Sequence, residues 1–427
     1  MIRPSTLAEW LGYIETLHAT PVALGLERVG EVAQRMSIGL ACPVVTVGGT
    51  NGKGSTCAML ESMLRHAGYR TALYTSPHLT RFNERVRIDG IEADDSALVA
   101  AFEAVETART SGASIALTYF EFSTLASLHL FAAATLDAIV LEVGLGGRLD
   151  AVNVIDADVA VVTTIGIDHV DYLGATRESI GREKAGIFRA GRQAICGDPD
   201  PPATLIEHAT TIGAPLWTIG RDYTFVASGM QWRYNGPRSV RHALPLPALR
   251  GSYQLGNAAT ALAALDALRD ALPIAANAIR AGLVHVELPG RFHVLPGRPV
   301  VVLDVAHNPQ AARVLAETLG DMSYHPTAFA VFGMLADKDI DGVVAALRPR
   351  IDQWYIAPLP GPRGATAARV ATALRQAGVE ASSIHEFDDI ARAFAGARDA
   401  ASETDRIAAF GSFLTVAAAL IAARERQ

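Results

Sequence analysis

The stretch VVTVGGTNGKGST, Val44 to Thr56, constrains this chain more than any other. The β-branched run Val44 to Val47 reads as a buried strand, and Gly48, Gly49, Gly52 and Gly54 supply a tight turn. The following STCAMLESMLRHAG sets Met59, Leu60, Met63 and Leu64 at the spacing of an amphipathic helix. Strand, glycine loop and helix N-terminus together make an anion site, because unpaired N–H groups and the helix dipole both favour negative charge. The loop departs twice from the common phosphate-binding pattern G-x-x-x-x-G-K-[ST]: Val47 stands where the first glycine belongs, and Gly54 follows Lys53 in place of Ser or Thr. A plain glycine-rich turn is the simpler alternative, but Lys53 inside the loop and its flanks favour phosphate binding.

The remaining texture agrees with α/β architecture. LDAIVLEVG (136 to 144) and ADVAVVTTIG (157 to 166) are continuous apolar runs of the kind that parallel strands bury on both faces. From Tyr223 to Pro247 the pattern turns polar, aromatic and alternating, which predicts an antiparallel patch appended to the sheet, with Asn235-Gly236 as its hairpin turn. A helical stretch follows from Asn257. The 427 residues exceed one ordinary core, and the Pro/Gly-rich VELPGRFHVLPGRP marks a boundary. The expected domains are 1–288, a linker at 289–298, and 299–427, where strands are expected near 300 to 305, 327 to 333, 353 to 357 and 406 to 410. The fold class expected is a P-loop ATPase domain with a mainly parallel sheet plus the antiparallel patch, then a Rossmann-like α/β domain.

Composition excludes several functions. With 50% hydrophobic and 19% charged residues the chain is not disordered, and a net charge of -7 offers no basic footprint for nucleic acid. No stretch reads as a signal core or a membrane span, and Cys42, Cys57 and Cys196 lack paired or metal-type spacing. A cytoplasmic protein with no membrane partner is expected.

Further candidates sit where strands end, the usual place for a ligand crevice in an open α/β sheet. Ser76 and His78 follow one strand, Glu142 ends another, His169 follows a third, and Lys184 lies on a helix with Arg182 and Glu183. A carboxylate, a hydroxyl and an imidazole suit an oxygen-rich Mg²⁺ environment. Each alone reads equally as a salt-bridge, loop or solvated helix residue.

Taken in order, GTNGKGS (49 to 55), SPHL (76 to 79), ERVRI (84 to 88), EVGLGGRLDAVN (142 to 153), IDHVDYLG (167 to 174), ESIGREKAGIFR (178 to 189), LPGRF (288 to 292), DVAHNP (304 to 309) and GMLADKD (333 to 339) resemble the folylpolyglutamate synthase family, which is related to the Mur ligases. In such proteins the modified loop is the normal ATP loop. The resemblance implies an ATP- and Mg²⁺-dependent ligase of folate biosynthesis that adds L-glutamate to dihydropteroate and to tetrahydrofolate derivatives through an acyl phosphate.

The site residues it implies are as follows. Thr50, Asn51, Gly52, Lys53, Gly54 and Ser55 hold ATP phosphates, with Asn257, Arg291, Asp304 and His307 completing the nucleotide contacts. Ser76 and Glu142 hold one metal ion, His169 and a carbamylated Lys184 a second, and Lys53, Glu142, His169 and Lys184 carry catalysis. Val22, Leu24, Phe120, Phe122, Asp150 and Ala151 contact the pterin, and His307 and Ser412 contact glutamate. Related sequences carry an acidic residue where this chain has Ala23, so any hydrogen bond from that side chain is absent. Domain closure is expected to assemble the ATP site, in a monomer acting on small molecules only. Two other readings stay open: a Mur-type ligase, for which only about 40 residues precede the loop, roughly a third of an ordinary domain, and a non-catalytic nucleotide switch, which would not need Glu142, His169 and Lys184 together.

Overall fold

The computed structural model describes residues 3–20 and 22–425. Contacts divide the chain into two units, Met1–Ala248 with Leu255–Val286, and Leu249–Gln254 with Glu287–Gln427.

The first unit is built on eight strands: β1 (Val44–Gly48), β2 (Thr71–Tyr74), β3 (Val86–Ile88), β4 (Ile91–Glu92), β5 (Ala138–Glu142), β6 (Val159–Val162), β7 (Gln193–Cys196) and β8 (Leu216–Thr218). Their order is β4-β3-β2-β5-β1-β6-β7-β8, parallel throughout except where β3 and β4 close one edge antiparallel. β1 is central and buried at every residue, as its unbroken apolar sequence requires. Its register pairs Val47 with Glu142 of β5 and Gly48 with Val162 of β6, so the ends of these strands lie side by side.

The helix Lys53–His66 is buried continuously from Gly54 to Leu64, so the amphipathic helix expected there is covered all round. The sheet covers one side, and the helix Ala276–Val284 packs against another. In a separate core cluster, Trp10, Phe102 and Phe122 meet fully buried, Phe102 edge-to-face with Phe122 at 5.5 Å. Each such pair is worth about 0.5–1.5 kcal/mol beyond its buried area.

The antiparallel patch forms a separate sheet, β9 (Thr224–Ser228), β10 (Gln231–Asn235) and β11 (Val240–Pro245), not an extension of the large one. Its tight turn is also not at Asn235-Gly236. Ser228 pairs with Gln231 across Gly229 and Met230, with Gly229 at φ 58°, whereas four residues separate β10 from β11. Glycine's access to positive φ fixes the two-residue turn, and Pro237 within the longer loop leaves Asn235 as the last ladder residue.

The second unit carries β12 (His293–Leu295), β13 (Val300–Asp304), β14 (Ala328–Phe332), β15 (Gln353–Ile356), β16 (Ile384–Glu386) and β17 (Arg406–Phe410), ordered β12-β13-β17-β14-β15-β16. Only β12 runs antiparallel. The segment expected as a linker thus contributes an edge strand, because Val294 and its neighbours pair with β13 despite the flanking prolines and glycines. Phe332, Trp354 and Phe410 form the aromatic centre of this unit's core.

Candidate active site

The loop after β1 is held by backbone and hydroxyl contacts from the segment after β6. Thr50 N–H donates to the Thr164 carbonyl at 2.6 Å, Thr50 Oγ1 exchanges hydrogen bonds with Gly166, and Thr163 Oγ1 and Thr164 Oγ1 both donate to the Asn51 carbonyl. These two threonines hold the loop backbone and were missed by the sequence reading, although their place at the end of an apolar run was a usable signal. Only glycine fits at Gly49, where φ is 141° and a β-carbon would lie 1.9 Å from Thr163 Oγ1. Gly52, at φ 88°, would likewise place a β-carbon 2.5 Å from Oδ1 of Asn257, a buried residue of the helix Tyr253–Ala267. Asn257 therefore lies beside the loop. Gly54 and Ser55 begin the buried part of the helix that Lys53 opens.

Two ammonium groups converge on this loop. Lys53 Nζ donates to the carbonyls of Gly49 at 3.2 Å and Thr50 at 3.3 Å, and Lys184 Nζ donates to the same Gly49 carbonyl at 2.9 Å. Lys184, on the helix Arg177–Ala185, is only 3% exposed. Burial, reinforced by the Lys53 charge, pulls its amine down to about 7, while Asp168 and Asp150 work the other way. Like charges gathered in a low-dielectric loop attract an anion and leave one amine ready to lose its proton.

Glu142 ends β5 and is buried, and its Oε2 accepts the Ser76 N–H at 3.1 Å. The structure thus brings Ser76 and Glu142 together beside the loop. His169 is half-buried at φ 52°, at the start of the short helix Val170–Leu173, and its N–H donates to Asp168 Oδ1 at 2.8 Å. Among the described residues no group of three His, Cys, Asp or Glu side chains comes together as a metal cage. Glu142 beside Ser76 offers one carboxylate and one hydroxyl, a set that suits Mg²⁺, which fills its shell with phosphate and water. An ammonium repels a cation, and burial favours the neutral amine of Lys184.

The segment 143–153 stitches these parts together. Asp150 accepts the N–H groups of Leu145 at 2.8 Å and Val152 at 3.0 Å, and burial raises its carboxyl to about 6 against those bonds and the Lys53 charge. Arg148 N–H donates to the Glu183 carbonyl and its guanidinium pairs with the Glu183 carboxylate at 2.8 Å, which anchors the helix bearing Lys184. Phe120 is half-buried, with its ring against Gly144, two residues beyond Glu142. Phe122 is a correction: at 0% exposure in the aromatic core it has no surface to offer a ligand. On the helix Tyr119–Ala133, Phe120 faces Gly144 and Tyr74 while Phe122 faces Phe102 and Trp10. Ala151 is buried and opens the short 3₁₀ helix that Asp150 caps. Val22 is exposed and Leu24 half-buried, in a stretch tied down by Gly25 N–H to the Leu149 carbonyl at 3.3 Å. Arg28 grips the Ala23 carbonyl at 2.7 Å while pairing with Glu121 at 2.9 Å, so position 23 is fixed through its backbone.

In the second unit, Asp304 ends β13 and accepts N–H groups from Phe292 and Ala306, both at 2.8 Å. Burial pushes its carboxyl up, against the nearby Arg291 charge. Arg291 lies over the Phe413 ring at 5.2 Å, and the His307 ring is 6.5 Å from the same ring. Phe413 was not anticipated; its place directly after Ser412 was the only hint. His307 Nδ1 lies 2.8 Å from the Val305 carbonyl, so it donates and Nε2 is the acceptor of the neutral ring. Ser412, buried, caps the helix Phe413–Arg424 by accepting the Leu414 N–H.

Comparison with known proteins places the chain in a family. Residues 47–265 match the Mur ligase middle domain and residues 290–413 the Mur ligase glutamate ligase domain. The Escherichia coli dihydrofolate synthase/folylpolyglutamate synthase is 47% identical over 97% of this chain and 94% of its own length, and the Haemophilus influenzae protein of the same description is 41% identical over 97% and 96%. The structure of E. coli FolC in complex with DHPP and ADP superposes with a TM-score of 0.93 at 46% identity, covering 99% of this chain and 98% of the other. A bifunctional folylpolyglutamate synthase/dihydrofolate synthase with Mn, AMPPNP and L-glutamate bound gives 0.90 at 46% identity, with 98% of both chains covered. The chain therefore belongs to the dihydrofolate synthase/folylpolyglutamate synthase family of Mur-type ligases.

Proposed function

We propose that this chain joins L-glutamate to dihydropteroate, forming dihydrofolate, and to tetrahydrofolate glutamates, forming polyglutamates, driven by ATP. The observation that carries this reading is the convergence of Lys53 and Lys184 on one loop carbonyl beside the buried Glu142. As a family member the chain is an ATP-dependent, amide-forming ligase. A substrate carboxylate oxygen bonds to the γ-phosphorus as the bond to ADP breaks, giving an acyl phosphate. The glutamate amine then attacks the carbonyl, a C–N bond forms, the C–O bond to phosphate breaks, and the amine proton passes to solvent.

The chain's own residues position and neutralise these anions. Thr50, Asn51, Gly52, Gly54 and Ser55 present loop and helix N-terminal groups to the phosphates, and Lys53 supplies charge. Asn257 steadies the loop at Gly52. Arg291, Asp304 and His307 are the second unit's nucleotide contacts, and His307 and Ser412 its glutamate contacts. Val22, Leu24, Phe120, Asp150 and Ala151 frame the pterin, with Phe122 supporting Phe120 from the core. Ser76 and Glu142, and His169 with Lys184, would hold Mg²⁺, which would supply charge neutralisation of the phosphate oxygens. For that role Lys184 becomes a carbamate: its neutral Nζ bonds to the carbon of carbon dioxide and releases a proton to water. An amine near 7 favours the neutral form that this step needs.

We further infer a monomer in the cytoplasm. The free thiols of Cys42, Cys57 and Cys196 support a reducing compartment. Among the described residues no helix is long and apolar enough to cross a membrane, and the charge of -7 argues against nucleic acid.

The test is phosphate release with ATP, Mg²⁺ and L-glutamate, using dihydropteroate, a tetrahydrofolate monoglutamate or a UDP-muramoyl carboxylate as acceptor. Release with both folates is expected. Turnover with the UDP-muramoyl acceptor alone would transfer the chain to the Mur-type reading and remove the pterin assignments.

A further inference from the structure

In the first unit, a cavity of about 650 Å³ lies where β11, the end of the helix Tyr253–Ala267 and the start of the helix Ala276–Val284 meet. Its size falls within the roughly 300–1,000 Å³ of small-molecule sites. Val240, Leu265 and Ile274 give it apolar walls, and among the described residues lining it only Arg241 and Arg269 are charged. Arg269 and Ala275 are exposed, so a solute reaches the cavity from water.

Neither guanidinium is matched by a free carboxylate. Arg241 keeps 18% of its side chain exposed, its Nε is buried without a hydrogen-bond partner, and the Asp266 carboxylate it faces stands 4.0 Å away. That carboxylate is already engaged: Tyr234 Oη donates to Oδ2 at 3.1 Å and Ser239 Oγ to Oδ1 at 2.6 Å. Burial pulls the Arg241 guanidinium below its ordinary range and the Arg269 charge adds to that, while Asp266 and Tyr234 work the other way. Arg269 donates to the Arg238 carbonyl at 2.6 Å and pairs with no carboxylate among the described residues, since Asp270 is held by Arg238 at 2.9 Å. A guanidinium stays charged at any ordinary pH, and its planar fork matches a phosphate or a carboxylate. Ala275 adds to the field: it precedes a nine-residue helix and supplies no side-chain cap, so the dipole there also favours negative charge.

We propose that this cavity is a second anion site of the chain, taking a small organic molecule with an apolar body and a phosphate or carboxylate group. Arg241 and Arg269 take the charged group, and Val240, Leu265 and Ile274 take the body. None of these residues belongs to the ATP, metal, pterin or glutamate sets. Occupancy braces the start of the helix Ala276–Val284, which packs against the helix opened by Lys53, and binding only the folded state stabilises it by mass action.

The test uses the full chain with saturating Mg²⁺ and ADP, so that the phosphate loop is filled. Phenyl phosphate and phthalate, aromatic bodies bearing a phosphate or two carboxylates, are titrated by calorimetry, and thermal unfolding is followed with and without each. The wild type should bind at least one of the two, and which one it prefers identifies the charged group that the site recognises. Arg241→Gln and Arg269→Gln should each weaken that binding at least about tenfold, the scale of one charge-assisted hydrogen bond. Ala275→Asp separates binding from folding: Asp is a favoured cap at this extended position, so the variant should melt no lower than the wild type. Its carboxylate should nevertheless abolish probe binding and the probe-dependent rise in melting temperature. No binding of either probe, equal affinity in the wild type and the two arginine variants, or undiminished binding in Ala275→Asp would overturn the proposal.

Discussion

At the end of β1, Lys184 is 3% exposed and Glu142 4%, with a second lysine on the same carbonyl as Lys184; at the end of β13, Asp304 is 8% exposed but accepts two backbone N–H groups and faces Arg291. Both sets of polar groups occupy the carboxyl ends of parallel strands, where an open sheet offers a crevice. The first unit gathers like charges and lowers a lysine amine to about 7. The second couples its carboxylate to a cation and uses Ser412 as a helix cap. Two lysines on one loop carbonyl mark where an anion belongs, whereas the second unit's buried carboxylate is held by two backbone N–H groups. Substitutions in the first unit should therefore damage turnover more than stability, and cap substitutions in the second should do the reverse.

The largest expected effect is at Lys184. Lys184→Ala should lower turnover by on the order of a hundred-fold or more, the loss typical of removing one preorganised electrostatic contact, while thermal unfolding stays cooperative. Short carboxylic acids should restore part of the rate by standing in for a carbamate. Near-wild-type turnover would erase the contrast between the two units.

Next in size is Gly49→Ala. A β-carbon 1.9 Å from Thr163 Oγ1 at φ 141° forces the loop to move, at about 1–3 kcal/mol for the backbone conformation alone. Nucleotide affinity, read by calorimetry, should fall with it. Unchanged affinity would mean that the loop does not hold phosphate.

A pH experiment sharpens the comparison through Asp150. Its folded carboxyl sits at about 6, above its ordinary 3.8, so the folded state holds the proton more tightly than the unfolded chain. That stabilisation is fully present below about 3.8 and is lost as pH rises through about 6. Asp150→Asn cannot ionise, so the stability of wild type relative to variant should fall between pH 4 and 7, by at most about 3 kcal/mol. A difference independent of pH, measured by denaturant titration, would show that the carboxylate is not desolvated.

The smallest effect is expected from Ser412→Ala, which removes the cap of the helix Phe413–Arg424 at about 1 kcal/mol. If Ser412 also contacts glutamate, the KM for glutamate should rise beyond what that loss of stability explains. A KM unchanged alongside the lower stability would leave Ser412 as a cap alone.

Much of this was legible in the sequence for physical reasons. The strand, the glycine loop and Lys53 are local, and Glu142, Asp304 and Ser76 stand at or just beyond the ends of short apolar runs that can only be strands. What escaped depends on packing between distant segments. The helix Lys53–His66 looked amphipathic because only the helix Ala276–Val284, more than 200 residues later, covers its second side. Phe120 and Phe122 are two residues apart on one helix, and composition does not reveal which faces the core. The turn at Gly229-Met230 lost to the stronger Asn-Gly signal, since register and not turn propensity decided where the ladder closes. The burial of Lys184 against the Gly49 carbonyl joins segments 135 residues apart, which no spacing rule announces.

The most direct measurement of the central claim uses dihydropteroate labelled with heavy oxygen in its carboxylate. Phosphate released during turnover with unlabelled ATP, glutamate and water is analysed by mass spectrometry. Transfer of one labelled oxygen into each phosphate is predicted, because the acyl phosphate leaves with an oxygen from the substrate. Unlabelled phosphate, formed at the same rate as the amide, would contradict an acyl phosphate at this loop.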